Sequence, residues 1–309
     1  MSNKPKNILF RADSSSTIGT GHIMRDLVLA EQFKDANIIF ATQDLSGNIN
    51  HKIKEKDYTI EILNTNAIEE VNKLIKKYNT DMIVIDHYGI DCDFEKKLKL
   101  AKPTLKIMSL DDTYEKHHCD ILLNHNIYAD SSRYKNLVPE NCELRCGANF
   151  TLLREEFKSE KTKKREFPQE IKNIFISMGG TDHLDISTQI LKALDEVMEL
   201  KIDVVTTTAN PHLDELQKYV ASKNNVTLYI NTSQIAKLIN KSNLAIITPS
   251  VTMNEVFYME IPFIAVKTAD NQKEMHNYLI KNNYISFDKF NEKDFMHSFY
   301  IKLKRKIDV

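Results

Sequence analysis

Residues 8–26, ILFRADSSSTIGTGHIMRD, decide how the chain is read. An apolar run at 8–10 breaks into a polar loop, and Gly19-Thr20-Gly21-His22 then opens a segment with helical spacing. A short, wholly apolar strand followed by a helix is the opening of an α/β unit whose sheet is covered on both faces. The glycines Gly19 and Gly21 admit a ligand close to the backbone, and the amides of a helix start attract an anion. A dinucleotide fingerprint needs a third glycine at position 24, where Met24 stands, so that pattern fails. His22 falls in the first helical turn, where the positive end of the helix dipole favours the neutral imidazole that a general base requires. A capping histidine without chemistry fits the same position.

Outward from this stretch the alternation continues. Strands are expected at 38–40, 59–63, 82–85, 105–108 and 121–123, with helices at 23–33 and 68–78 among them. A charged stretch, residues 154–170, interrupts it as an exposed connection. The pattern restarts at 173–177, 202–206, 226–230, 244–248 and 263–266, with helices expected at 183–197, 211–221, 234–241 and 252–259. Two doubly wound parallel-sheet domains follow from this, over 1–155 and 171–285, joined by a linker at 156–170 and closed by a tail at 286–309. Paired domains of this class hold ligands in a cleft at the carboxyl ends of their strands, so the junctions after strands are where chemistry is sought.

Composition narrows the function. The 309 residues carry 42 basic and 43 acidic side chains, which argues against a nucleic-acid binder that relies on a basic face. No segment reaches the ~20 apolar residues of a membrane span. Cys92, Cys119, Cys142 and Cys146 read as reduced thiols, and their spacing does not form the two pairs of a zinc site. A cytoplasmic protein acting on a small molecule is expected.

Four further junctions carry polar groups. IDHYGID (85–91) places Asp86 and Tyr88 at a strand end, where Asp86 orients a histidine or caps a turn, and Tyr88 meets a sugar or packs. ISMGGTD (176–182) places Gly179, Gly180 and Thr181 between strand and helix, as a phosphate cradle or a plain turn. Ser250, Val251, Asn254 and Glu255 open the helix at 252–259, where Glu255 binds two ribose hydroxyls or closes a capping box with Thr252. Asn271 and Gln272 follow the strand at 263–266 and contact sugar hydroxyls or cap a helix. Five such junctions together point to a nucleotide-linked ligand.

The stretches FRADSSSTIGTGHIMRDLVLA, VIDHYGID, HHCDILLN, ELRCGANFTLLREEF, ISMGGTD, VTMNEVFYM and NQKE resemble those of the UDP-2,4-diacetamido-2,4,6-trideoxy-β-L-altropyranose hydrolases of pseudaminic acid biosynthesis. The resemblance runs from the N-terminus to about residue 284. The GTGH loop and the Glu255 helix are also distantly similar to MurG-type N-acetylglucosaminyltransferases. The resemblance implies a GT-B fold, with UDP held mainly by the second domain and the sugar facing the first. It further implies inverting attack of water on the anomeric carbon, with His22 as general base, Tyr88 and Asn271 lining the sugar and Glu255 on the ribose. No metal or other cofactor is expected. Asp13, close to His22 in sequence, is expected to orient its imidazole, and Arg11 to neutralise Asp13 or reach a substrate oxygen. Residues 295–303 are expected to form a helix that crosses back to the first domain. A monomer is expected. A glycosyltransferase using a UDP-amino sugar, or a non-catalytic nucleotide-sugar binder, shares most of these features.

Overall fold

The computed structural model describes residues 6–163, 171–197 and 200–304. The chain divides into two units, Met1–Leu153 and Arg154–Val309. In the first unit, β1 (Asn7–Ala12), α1 (Gly21–Ala30), β2 (Asn37–Gln43), α2 (Asn50–Lys54), β3 (Thr59–Leu63), α3 (Ile68–Lys77), β4 (Met82–Asp86), α4 (Cys92–Ala101), β5 (Lys106–Leu110), β6 (Ile121–Asn124) and β7 (Glu143–Cys146) succeed one another. The strands form one parallel sheet in the order β3-β2-β1-β4-β5-β6-β7.

Alternation along β1 explains its apolar sequence. Ile8, Phe10 and Ala12 join one core layer with Ile23 and Leu27 of α1, while Leu9 joins the other with Val71 of α3 and Leu98 of α4. A strand covered on both faces has no polar side to show. The strand order reverses between β1 and β4, and the two end level, Ala12 opposite Asp86. In doubly wound sheets that reversal opens a crevice beyond the strand ends.

The second unit holds α5 (Glu155–Lys161), β8 (Asn173–Ser177), α6 (Ile186–Leu194), β9 (Lys201–Thr206), α7 (Leu213–Ala221), β10 (Val226–Ile230), α8 (Ile235–Lys241), β11 (Leu244–Ile247), α9 (Val251–Tyr258), β12 (Phe263–Val266), α10 (Lys273–Lys281), β13 (Ser286–Phe287) and α11 (Glu292–Lys304). Its sheet is parallel in the order β10-β9-β8-β11-β12-β13, with the reversal between β8 and β11.

Three features depart from the expectations above. Two edge strands, β7 and β13, extend the sheets; β7 reads Glu-Leu-Arg-Cys and is only partly buried, so it lacks the apolar run that marks its neighbours. The charged stretch is not an extended connection throughout: 155–161 is helical, and α5 buries Phe157 in the second unit with the Arg154 guanidinium over its ring. Residues 164–170 of the expected linker lie outside the described residues. Finally, α11 belongs to the second unit's own core, where Phe295 and Phe299 are fully buried beside Ile190 and Leu194. Two large rings with no exposed surface anchor it there. No helix among the described residues is long and apolar enough to cross a membrane.

The docking of α11 makes a quantitative prediction. Phe299→Ala should destabilise the protein by about 3–5 kcal/mol in urea unfolding, the cost of emptying a buried phenylalanine site. A loss below about 0.5 kcal/mol, the range of surface substitutions, would contradict it.

Candidate active site

The loop between β1 and α1 is short and fully specified. Ser15 and Gly19 exchange backbone hydrogen bonds of 3.2 and 2.9 Å, and the Ser15 hydroxyl accepts from the Thr17 and Ile18 amides. Closing this turn takes the chain through φ +86° at Gly19, a conformation that a side chain strains. Helix α1 then begins at Gly21, and no side chain caps it. Nothing lies within 4 Å of where a side chain would start at Gly19 or Gly21, so the loop faces open space.

His22, the second residue of α1, is 6% exposed and meets the end of β4. Its Nδ1 lies 2.7 Å from Asp86 Oδ1. Arg25, one turn further along α1, places Nε 2.6 Å from Asp86 Oδ2 and donates from Nη2 to Oδ1 as well. Burial alone would raise the Asp86 carboxyl, but the charge and hydrogen bonds of Arg25, followed by those of His22, hold it well below the usual carboxylate range. An ionised carboxylate only accepts, so the short contact requires the proton on Nδ1. A neutral His22 therefore keeps its lone pair on Nε2, which has no protein partner among the described residues. That is the tautomer a general base needs.

The network extends outward. Arg25 Nη1 lies 3.1 Å from Asp112, which follows β5, and Asp112 accepts the Tyr88 hydroxyl at 2.9 Å. The Tyr88 ring stands edge-on to the His22 ring, with centroids 4.9 Å apart, and most of its surface is exposed. Removal of the hydroxyl from water and the neighbouring Asp112 charge both push its ionisation well upward, so Tyr88 offers a neutral phenol.

Asp13 does not reach His22, and Arg11 takes the first of its two expected parts by pairing with Asp13. Residues two apart on a strand share a face, and Arg11 accordingly grips Asp13 with both Nη atoms, at 2.8 and 2.7 Å. Asp13 also accepts from the Gln43 amide and from His87. His87 Nδ1 accepts from Gly89, which leaves its Nε2 as the donor. Burial pushes Asp13 up, but the bonds from His87 and Arg11 outweigh it and the carboxyl is held far down. Asp86, not Asp13, partners His22. Arg11 is wholly buried, and its Nη atoms are engaged by Asp13, Asn66 and the Ala41 carbonyl. Both oxygens of Asp86 are engaged by His22 and Arg25.

Two ionisable groups are enclosed without partners behind the dyad. Asp26, one turn beyond His22, is fully buried, and neither carboxyl oxygen has a hydrogen bond. Burial, reinforced by the Asp86 charge, pushes its carboxyl well above the usual range. His125, just past β6, has both ring nitrogens unpartnered; burial and then the Arg25 charge push it down to about 3. His125 is therefore neutral at physiological pH, and the Asp26 carboxyl is pushed toward its neutral form.

In the second unit the junctions also gather at strand ends. Gly179 adopts φ +82° with open space beyond it, whereas the position of a side chain at Gly180 is crowded by Thr207. Thr181 follows, and Asp182 turns back to accept from the Ile186 and Ser187 amides at the start of α6. Helix α9 begins at Val251 after Ser250, with no side-chain cap. The capping box between Thr252 and Glu255 does not form, because Thr252 is already inside the helix. Instead Glu255, nearly buried, accepts from Arg154 Nη2 at 3.0 Å. Burial pushes its carboxyl up, and Arg154 opposes that. Asn254 is buried beside it. Asn271 is exposed in the turn before α10, while Gln272 folds back on Thr268 and is occupied there.

Arg25, Asp112, His125 and Arg154 were not singled out from the sequence. Only Arg25 carried a usable signal, three residues from His22 and so on the same helical face. Among the described residues no group of three or more His, Cys, Asp or Glu is arranged around a metal site. All four cysteines are free.

No family model matches the chain. A UDP-2,4-diacetamido-2,4,6-trideoxy-β-L-altropyranose hydrolase of Campylobacter jejuni is 43% identical over 277 residues, covering 90% of this chain and 97% of that protein. The spore coat polysaccharide biosynthesis protein SpsG of Bacillus subtilis is 24% identical over 268 residues, covering 84% and 77%. Among solved structures, MurG of Acinetobacter baumannii matches with a TM-score of 0.66 at 12% identity, over 98% of this chain and 92% of that one. The spinosyn rhamnosyltransferase SpnG matches at 0.64 and 11%, over 96% and 92%. These structural likenesses establish the GT-B fold.

The buried acid behind the dyad gives a pH prediction. Folded Asp26 holds its proton while the unfolded chain releases it above about pH 4, so stability is undiminished below that pH and falls as pH rises toward the elevated folded value. Asp26→Asn cannot ionise; its thermal midpoint relative to the unsubstituted protein should climb between about pH 5 and about pH 8. A difference that stays constant across that range would show that Asp26 is not held protonated.

Proposed function

The chain belongs to the UDP-2,4-diacetamido-2,4,6-trideoxy-β-L-altropyranose hydrolase family, and on that premise we propose that it hydrolyses this nucleotide sugar to UDP and the free sugar. The observation that carries the reading is the Asp86–His22 contact, which holds the proton on Nδ1 and leaves the lone pair on Nε2. In the proposed reaction a water oxygen bonds to the anomeric carbon as the bond from that carbon to the β-phosphate oxygen breaks. The water proton passes to His22 Nε2, and the electron pair leaves on UDP. Asp86 stabilises the imidazolium that forms, and a single displacement inverts the anomeric centre.

The remaining residues divide the work by chemistry. The leaving diphosphate gathers negative charge, and the amides around Gly179–Gly180 and at the uncapped start of α9 suit it without a cation. Glu255, fixed by Arg154, has the two acceptor oxygens that a ribose diol matches. Tyr88 offers a neutral hydroxyl to the acetamido groups. The protein is taken to work as a cytoplasmic monomer.

Turnover without an acceptor tests the reading. Incubated with the UDP-sugar alone, the protein should release UDP, and His22→Leu should lower kcat by about 10²–10⁴-fold, the usual worth of a general base. UDP affinity should hold, and a chelator should leave the rate unchanged. UDP release only when a sugar acceptor is added would favour a transferase, and normal turnover by His22→Leu would remove His22 from its role.

A further inference from the structure

An ionised carboxylate buried beside an imidazole ordinarily draws a proton onto the ring, because an adjacent opposite charge favours the charged ring and a buried charge left uncompensated is costly. A protonated His22 has no lone pair on Nε2 and cannot take a proton from water. The position of Arg25 answers this difficulty. Its side chain is nearly buried, it engages both oxygens of Asp86, and its Nη2 lies 3.2 Å from His22 Nδ1. A fixed positive charge that close to the ring opposes a second one.

We propose that Arg25 is a positioning residue for the hydrolytic step: it supplies the positive charge that Asp86 demands, so that Asp86 orients a neutral His22 instead of protonating it. The proposal rests on reading His22 as the base, but it concerns a protonation state that can be measured without substrate.

The other titratable groups facing the pair fit this account. On α1, Asp26 is buried, which pushes its carboxyl toward the neutral form. Past β6, His125 is neutral. After β4, Tyr88 keeps its phenolic proton. After β5, Asp112 takes the far end of the guanidinium and the Tyr88 hydroxyl, and no contact joins it to His22. Arg25 is thus the cation against the dyad. Its planar fork spans Asp86 and Asp112 together, a geometry that a lysine ammonium cannot copy.

Arg25→Met and Arg25→Lys test this by ¹⁵N NMR titration of the His22 ring in the unliganded protein, its signal assigned by loss in His22→Leu. In Arg25→Met the His22 midpoint should move up by about one pH unit or more. The acidic limb of the kcat–pH profile should move with it, and the rate should recover at alkaline pH. Arg25→Lys should shift both in the same direction by less, and it carries the test if the methionine variant does not fold. An unmoved midpoint with a loss of rate uniform in pH would overturn the proposal, since a merely structural arginine predicts that. A shifted midpoint in a protein that hydrolyses nothing would uphold Arg25 and refute the proposed function.

Discussion

The site of the first unit depends on one carboxylate. Asp86 is the last residue of β4, level with the end of β1 at the reversal of strand order, and two side chains of α1 reach it from one helical face. His22 and Arg25 are three residues apart, so a single turn presents both to the same acceptor. Left alone, a buried carboxylate costs several kcal/mol of lost hydration. Here the sheet supplies the position, the helix supplies the partners, and the turn closed by Ser15 and Gly19 starts that helix in the right place. Tautomer, ring orientation and the free Nε2 all follow from where Asp86 sits.

The second unit solves a different problem by related means. The start of α9 has no side-chain cap, and Gly179 turns through a positive φ with space in front, whereas Asp182 takes the first amides of α6. Backbone amides at an uncapped helix start suit an anion. Glu255 is the counterpart of Asp86, an acid at a strand-to-helix junction fixed by an arginine. There the acid is the group read as meeting the ligand; in the first unit it stands behind the group that does.

Much of this was legible in the sequence for a physical reason. Central strands covered on both faces are apolar runs, and the edge strands β3 and β10 keep enough apolar residues to be seen, so eleven of the thirteen among the described residues were expected, and the switch-point junctions could be picked out as the polar residues that follow them. The edge strands β7 and β13 escaped because partial exposure admits Glu143 and Arg145 into the first and the second has only two residues. His22 was legible because glycines before a helix start are uncommon without a use. For its partner the sequence left both Asp13 and Asp86 open. Nearness in sequence suggested Asp13, but Asp13 is held by Arg11 and the Gln43 amide against β2, whereas Asp86 meets His22 from the end of β4, 64 residues away in sequence. Charge networks such as Arg25–Asp112–Tyr88 are assembled by topology, and no local pattern announces them.

The central claim is that water attacks carbon. The most direct measurement is turnover of the UDP-sugar in ¹⁸O-labelled water with mass analysis of both products. The account predicts label at the anomeric hydroxyl of the released sugar and unlabelled UDP. Label in the terminal phosphate of UDP would place the attack on phosphorus and contradict it.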